Sequence, residues 1–207
     1  MNQAVINVRE ASFVAGVPVK TVNKAIDEAK LRRGVVRGRR ERLLNRQGVL
    51  QLALEKELEQ RISTELRPSV RAGFLKAITT ADRRTDFEIR LGDSLVLVIE
   101  CKSIVARVDQ RWDRLSRALN EIAEDPEVQA GAPTFKGTRV LVWPIVEAVT
   151  RGEPVAELLK HYPALTRAKL EAAKLYAEVH PRRGRPKLDL RHAALKSSRI
   201  VRSGRRA

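Results

Sequence analysis

The sequence is poor in cysteine, aromatics and acid. Cys101 stands alone among 207 residues, which excludes an internal disulfide and suits a reducing compartment. Aromatic residues make up 4% of the chain while hydrophobic residues reach 43%, so any core is built mainly from Leu, Val, Ile and Ala. The longest apolar run, "LVLVI" at 95–99, is far too short to span a bilayer. The opening "MNQAVINVREA" has no basic region followed by an apolar stretch, so no signal peptide is expected. Together these absences predict a cytoplasmic chain with no membrane contact, long enough for one or two small domains.

Acid is the third deficit. The chain has 41 Lys and Arg against 25 Asp and Glu, a formal net charge of +16. Such a charge favours a polyanionic partner: nucleic acid, an anionic membrane or an acidic protein. The excess is clustered. Residues 30–46 carry eight basic side chains against Glu41 alone, and residues 182–206 carry ten against Asp189 alone. These two segments account for the whole net charge, so two basic stretches flank a nearly neutral middle.

The stretch "VREASFVAGVPVKTVNKAIDEAKL" (8–31) reads as two short helices around the turn "GVP". Gly16 can take the positive φ a helix–helix corner needs, Pro18 suits the start of the next helix, and small Ala15 allows close approach. Val19, Val22, Ile26 and Ala29 form one apolar stripe. That leaves Lys20, Thr21, Asn23 and Lys24 on the exposed side, where a helix-turn-helix reader meets base edges. Asp27 and Glu28 must then point away from DNA. The plain alternative is an ordinary αα-corner with solvated lysines. The arginine-rich piece that follows, with Val35–Val36 between basic residues, resembles the wing of a winged-helix or MerR-like DNA-binding domain. It adds Arg32, Arg33, Arg37, Arg39 and Arg40 to the candidate DNA contacts. Asn45 can cap the helix beginning "RQGVLQLAL".

Further on, the pattern predicts a charged amphipathic helix over 48–66 ended by Pro68, and a short helical stretch near 69–79. A β-hairpin follows over 85–103, in which "LVLVI" is a buried strand, and then a helix over 105–124 with Val105, Val108, Trp112, Leu115 and Leu119 on one face. Asp86 with Glu100-x-Lys102 matches the acidic-x-Lys pattern of a class of Mg²⁺ nucleases, in which two carboxylates hold the metal and a lysine polarises the attacking water. The match is short, and Glu100 and Lys102 are expected where a strand leaves the core, a usual place for solvated charges.

"GAPTFKGTRV" (131–140) has the glycines, lysine and threonine of a phosphate loop, but in the wrong order. In G-x-x-x-x-G-K-[ST] the lysine follows the second glycine and a helix comes next; here Lys136 precedes Gly137, and "RVLVW" reads as a strand. "TFKGTRVLV" instead fits a tight hairpin around Lys136-Gly137. Pro144 can open a helix that Gly152 stops, Pro154 a second that Pro163 ends, and Thr166 can cap a third with Leu170, Ala173 and Ala177 inward. The second and third helices make another helix-turn-helix-like pair, without excess charge, suited to dimerisation or scaffolding. His161 and His180 sit near helix ends, as C-terminal caps do, and no third ligand stands at metal spacing. No cofactor is expected.

The wider stretch 124–181 carries Asp125-Pro126, Gly131, Pro133, Lys136-Gly137-Thr138-Arg139, Gly152, Glu157-Leu158-Leu159, Tyr162-Pro163 and Leu165-Thr166. In this it resembles a small prokaryotic family of unknown function whose hallmark is G-x-P-x-x-K-G-T-R. One departure is Glu153-Pro154, where that family often has a small capping residue. With an N-terminal helix-turn-helix and a basic tail, the full layout resembles VapB-like antitoxins, whose partners are PIN-type ribonuclease toxins. The resemblance implies a non-enzymatic type II antitoxin, binding operator DNA as a homodimer and neutralising the toxin through its tail. Arg182, Arg183, Arg185, Lys187, Arg191, Lys196, Arg199 and Arg202 then face the toxin's metal-binding carboxylates. Leu188, Leu190, Ala194, Leu195 and Ile200 supply apolar anchors that fold on binding. The plain alternative for the tail is a disordered, nonspecific nucleic-acid arm, and for the whole chain a transcription regulator with no toxin partner.

The predicted fold is thus mainly α with short β-hairpins. A winged-helix-like helix-turn-helix and following helices occupy 1–83, and a β-hairpin and connecting helix 84–123. A small hairpin plus three-helix domain occupies 124–181, and a disordered basic tail 182–207.

Overall fold

The computed structural model describes residues 5–31, 33–38, 41–79, 86–91 and 95–182. Eight α-helices dominate, joined by short antiparallel strand pairs. Strand β1 (Val5–Asn7) leads into α1 (Val8–Ala15), and α2 (Val19–Asp27) follows. The hairpin β2 (Val35–Arg37) and β3 (Arg42–Asn45) then returns to pair with β1, giving a sheet ordered β1-β3-β2. Its register sets Ile6 opposite Leu44, and Leu44 opposite Val35.

Local chemistry explains these boundaries. Asn7 and Glu10 form a reciprocal capping box: the Asn7 side chain accepts from the backbone N–H of Arg9 and Glu10, while the Glu10 carboxylate accepts from Asn7 N–H at 2.8 Å. Gly16 ends α1 at φ 68°, a conformation that favours glycine. Asn45 holds two segments at once. Its oxygen accepts from Gly48 N–H at 3.0 Å, capping α3 (Arg46–Arg61), and its amide donates to Arg33 C=O at 2.8 Å. Gly34 and Gly48 meet there backbone to backbone; a Cβ on Gly48 would lie 2.5 Å from the Gly34 oxygen.

Helix α4 (Arg67–Thr79) follows, then the hairpin β4 (Phe87–Leu91) and β5 (Leu95–Ile99), with Phe87 opposite Ile99. The Phe87 ring rests on Gly73 of α4, where an added Cβ would come within 2.4 Å of it. The long helix α5 (Cys101–Asn120) runs to β6 (Ile122–Ala123), which pairs with β7 (Thr134–Phe135). Helices α6 (Val142–Thr150), α7 (Val155–His161) and α8 (Arg167–Val179) complete the described chain.

Two apolar clusters result. The main one gathers Val14, Val22, Leu44, Leu54, Phe74 and Val108 among others from α1 through α5. The second surrounds Phe135, Val142, Ile145, Leu165 and Leu170. Helix α8 is common to both: Ala172, Leu175 and Val179 face the main cluster, Leu170, Ala173 and Tyr176 the second.

Several expectations need correction. Pro68 does not end a helix; α3 stops at Arg61, and Pro68 sits in the first turn of α4, where its missing N–H costs nothing. "LVLVI" is not a buried strand, since Val96 and Val98 are 49% and 56% exposed on the outer face of the hairpin. "RVLVW" is not a strand either: α6 already begins at Val142, with Pro144 inside its first turn. Val19 is exposed and Ala29 lies beyond α2 at φ 51°, so the buried face of α2 is Val22 and Ala25 instead. In the last helix Ala177 is only half-buried, and Tyr176 takes the inward position.

Candidate nucleic-acid interface

Helix α2 owes its position to the tight corner before it. Ser12 hydroxyl donates to Val17 C=O at 2.5 Å, and Val17 N–H donates to Ser12 C=O at 3.1 Å, fastening the turn from both sides. Pro18 supplies the N-cap position of α2. With Val22 and Ala25 inward, Lys20 and Lys24 are exposed and Thr21 and Asn23 half-buried. The four candidate residues therefore lie together along one solvent-facing side of a short helix.

The hairpin β2–β3 stands beside this helix and is tied to it. Arg42 Nη1 donates to Asp27 Oδ1 at 2.7 Å. Glu28 meets Lys30 at 2.5 Å and Lys24 at 3.9 Å. The hydrogen bond from Lys30, aided by the charges of Lys30 and Lys24, holds the Glu28 carboxyl below the ordinary glutamate value. Asp27 and Glu28, the last residue of α2 and its C-cap, are thus turned to local cations. Arg33 is exposed at φ 53°, and Arg37 lies in β2. Arg32, Arg39 and Arg40 lie outside the described residues.

Not every basic residue of the 30–46 segment is available. Arg46 makes a two-pronged pair with Asp109 of α5, both N–H···O distances being 2.8 Å. It joins the hairpin to the helical body, a geometry worth more than a single surface contact.

The KGTR turn is a structural device in this fold. Gly137 takes φ 77°, and Thr138 hydroxyl donates to Phe135 C=O at 2.9 Å while accepting from Val140 N–H at 3.1 Å. Lys136 N–H donates to Glu121 C=O at 2.8 Å, and Lys169 Nζ reaches Lys136 C=O at 3.2 Å. The side chains of Lys136 and Arg139 remain exposed, and Arg139 borders a hollow of about 480 Å³ shared with Asp125, Val128 and Thr138.

Comparison with known proteins bears on this part. Residues 122–177 match the family DUF433, described as a protein of unknown function. The DUF433 stretch thus runs from β6 through most of α8 and contains the KGTR turn. The uncharacterized protein y4eO of Sinorhizobium fredii is 28% identical over 183 residues, covering 85% of this chain and 81% of that protein. The X-ray crystal structure of Rv2018 from Mycobacterium tuberculosis aligns at TM-score 0.39 and 15% identity, over 81% of this chain and 96% of that one.

At the C-terminal end of the DUF433 stretch a polar chain links it to α1. Tyr176 hydroxyl donates to the Glu124 carboxylate, and its ring stacks on His180 at 4.7 Å. His180 Nε2 lies 3.2 Å from Glu10 Oε1, at ion-pair distance but without the alignment of a hydrogen bond. Burial, and then the Glu124 carboxylate, push the Tyr176 hydroxyl well above its ordinary pKa. Arg182 folds back on α6, with Nη1 3.1 Å from Glu147 Oε1 and its guanidinium over the Trp143 ring at 5.7 Å. Arg183, Arg185, Lys187, Arg191, Lys196, Arg199 and Arg202 lie outside the described residues.

Glu100 and Lys102 of the acidic-x-Lys trio lie just past the end of β5, the strand end expected for them, and the helix that follows begins earlier than expected, at Cys101. Glu100 is the N-cap of α5 and Lys102 sits in its first turn, so neither lies on a strand. Asp86 Oδ1 accepts from Lys102 N–H at 3.3 Å, and its Oδ2 lies 4.0 Å from Lys102 Nζ. Between them Cys101 is buried, its thiol pushed up to about 11 by burial and then by Asp86, which leaves it protonated and unreactive at neutral pH. Among the described residues no group of three or more His, Cys, Asp or Glu is placed to share a metal ion, and no helix is long and apolar enough to cross a membrane.

Proposed function

We propose that this chain is the antitoxin of a type II toxin–antitoxin pair. It binds operator DNA through residues 1–46, acting as a homodimer and repressing its own operon, and it neutralises a PIN-type ribonuclease through its basic tail. The observation that carries the DNA-binding half is the placement of Lys20, Thr21, Asn23 and Lys24 on the outer side of α2, beside an arginine-bearing hairpin. That arrangement is what a winged helix-turn-helix needs: a short second helix for the major groove and a basic strand pair for the flanking backbone. The orientation of Asp27 toward Arg42, and of Glu28 toward Lys30, reduces the repulsion these acids would exert on phosphate. The toxin-binding half is supported by the charge of residues 182–206 and by the KGTR stretch, both matching the layout of the antitoxins the sequence resembles.

Mobility shifts on the DNA upstream of the gene test this reading. Lys20→Ala or Asn23→Ala is expected to relax sequence preference, because each removes hydrogen bonds to a base edge that discriminate by about 1–3 kcal/mol. Arg39→Ala is expected to weaken binding to all duplexes alike. Unchanged affinity and preference in all three variants would remove the N-terminal assignment.

A second reading draws on one observation, the meeting of Asp86 and Lys102 at 4.0 Å next to Glu100. It makes the chain a Mg²⁺ nuclease of the acidic-x-Lys class. Under the antitoxin reading the purified protein leaves DNA and RNA intact in Mg²⁺ or Mn²⁺. Cleavage abolished by both Glu100→Ala and Lys102→Ala would replace the antitoxin reading with the nuclease.

A further inference from the structure

We infer that Lys56, Arg111 and Arg114, which belong to neither the helix pair nor its hairpin, form a second phosphate-binding strip for the same DNA duplex. The inference rests on the DNA-binding reading and extends it to α3 and α5.

The strip begins at the turn between α1 and α2. Lys56 Nζ donates to Gly16 C=O at 3.1 Å. The Arg111 guanidinium covers the same glycine from α5; a Cβ on Gly16 would lie 2.0 Å from its Nη1. Arg114 follows three residues later, and all three side chains are exposed. Two cations from separate helices therefore converge on one turn, and the acid that borders the same hollow, Glu57, is engaged by Arg107 and Arg61.

They stand in no ion pair, a state they share with other described cations such as Arg117 and Arg139, and what distinguishes Lys56 and Arg111 is their convergence on the Gly16 turn. Lys24, Lys30, Arg42, Arg46, Arg71 and Arg107 each stand within ion-pair distance of a carboxylate. Among the described residues, Lys56, Arg111 and Arg114 do not, and neither does Lys20. Adjacent like charges repel, and a bound polyanion relieves that repulsion. Position selects the polyanion. Lys20 lies on the first turn of α2, four residues beyond Gly16. A helix whose N-terminal turn enters a major groove about 12 Å wide brings the residues before that turn against a bordering phosphate strand. Lys56 and Arg111 occupy that place, and Arg114 continues the line along α5.

The test uses the full chain and two duplexes of equal length, one from upstream of its gene and one of scrambled sequence. Anisotropy titrations are run between about 50 and 200 mM salt. For Lys56→Gln/Arg111→Gln/Arg114→Gln, affinity is expected to fall equally for both duplexes. The slope of log affinity against log salt should become shallower by about two to three. The ratio between the duplexes and the melting temperature should stay as in the intact protein. The double variant Lys56→Gln/Arg114→Gln, which keeps Arg111 over the turn, should lose about two-thirds as much slope. If the intact chain binds and both variants match it in slope and affinity, the strip does not touch phosphate. A change confined to the preferred duplex overturns it as well. An intact chain that binds neither duplex overturns the inference together with the reading beneath it.

Discussion

Under the proposed antitoxin reading, a chain cut after Arg182 is expected to inhibit a PIN-type ribonuclease roughly a hundredfold less well than the intact chain. Loss of charge pairs at a protein–protein interface costs about 2–5 kcal/mol per desolvated pair, and about 1.4 kcal/mol is a factor of ten. The removed segment carries most of the C-terminal excess of positive charge, whereas a PIN active site concentrates carboxylates. Both steering and charge-assisted pairing should suffer, and the loss should appear as faster dissociation and restored RNA cleavage. Placing the cut after Arg182 keeps the Arg182–Glu147 pair and the contact with Trp143. Among the described residues both apolar clusters are assembled from residues up to Val179, and the removed segment has few large apolar side chains, so the melting temperature should hardly change. Under the same reading, DNA binding should weaken modestly at low salt, since nonspecific phosphate attraction goes with the tail. The assay is RNA cleavage by the toxin with either chain added in increasing amounts. Equal inhibition by the two chains would move the inhibitory element to the KGTR turn or the β4–β5 hairpin.

Caps and turns are the most legible part of the fold because their chemistry is local. Asn45, Thr166, Gly16 and Pro154 each act within a few residues, and each stands at the helix end its type predicts. Asn7-x-x-Glu10 carries the same kind of signal, an acceptor followed three residues later by a carboxylate, but it is hard to pick out beside the apolar Val8. Short apolar runs are the least legible. "RVLVW" and "LVLVI" look alike as strings, yet the first opens a helix and the second is a strand with one face on the helical body and one outward. A run of five apolar residues has no period to separate these cases.

Counting charge tells where a polyanion would go and overstates how much of the charge is free. Among the described basic side chains of 30–46, Lys30, Arg42 and Arg46 have carboxylate partners. The Arg46 partner, Asp109, lies 63 residues away, beyond the reach of any local pattern. Arg111 shows the converse: it belongs to a helix that reads as neutral, yet the fold sets its guanidinium on the turn before α2. Non-local pairing therefore changes both ends of the charge map, removing cations from the segment richest in them and adding others from the middle.

Removing a phenylalanine ring should destabilise the whole described chain, whichever cluster it comes from. The sequence has four Phe, two Trp and two Tyr, and only Phe74 and Phe135 among its aromatics are fully buried. Phe74 sits on α4, which packs against α3, β4 and α5, while Phe135 centres the second cluster. Phe74→Ala or Phe135→Ala is expected to cost about 3–5 kcal/mol from lost transfer and the cavity left behind. For a chain of this size, with about 2–4 °C per kcal/mol, the melting temperature should fall by roughly 10 °C. Because α8 contributes to both clusters, unfolding one strips partners from the other, and a single transition is expected. The two tryptophans make this measurable, since Trp112 packs on the main cluster and Trp143 on the second. In chains carrying Trp143→Phe or Trp112→Phe, the remaining indole reports on one cluster alone. Phe135→Ala should lower the midpoint seen by Trp112 as much as that seen by Trp143. A shift in the Trp143 midpoint with the Trp112 midpoint in place would mean that the DUF433 stretch unfolds on its own and that α8 does not couple the two.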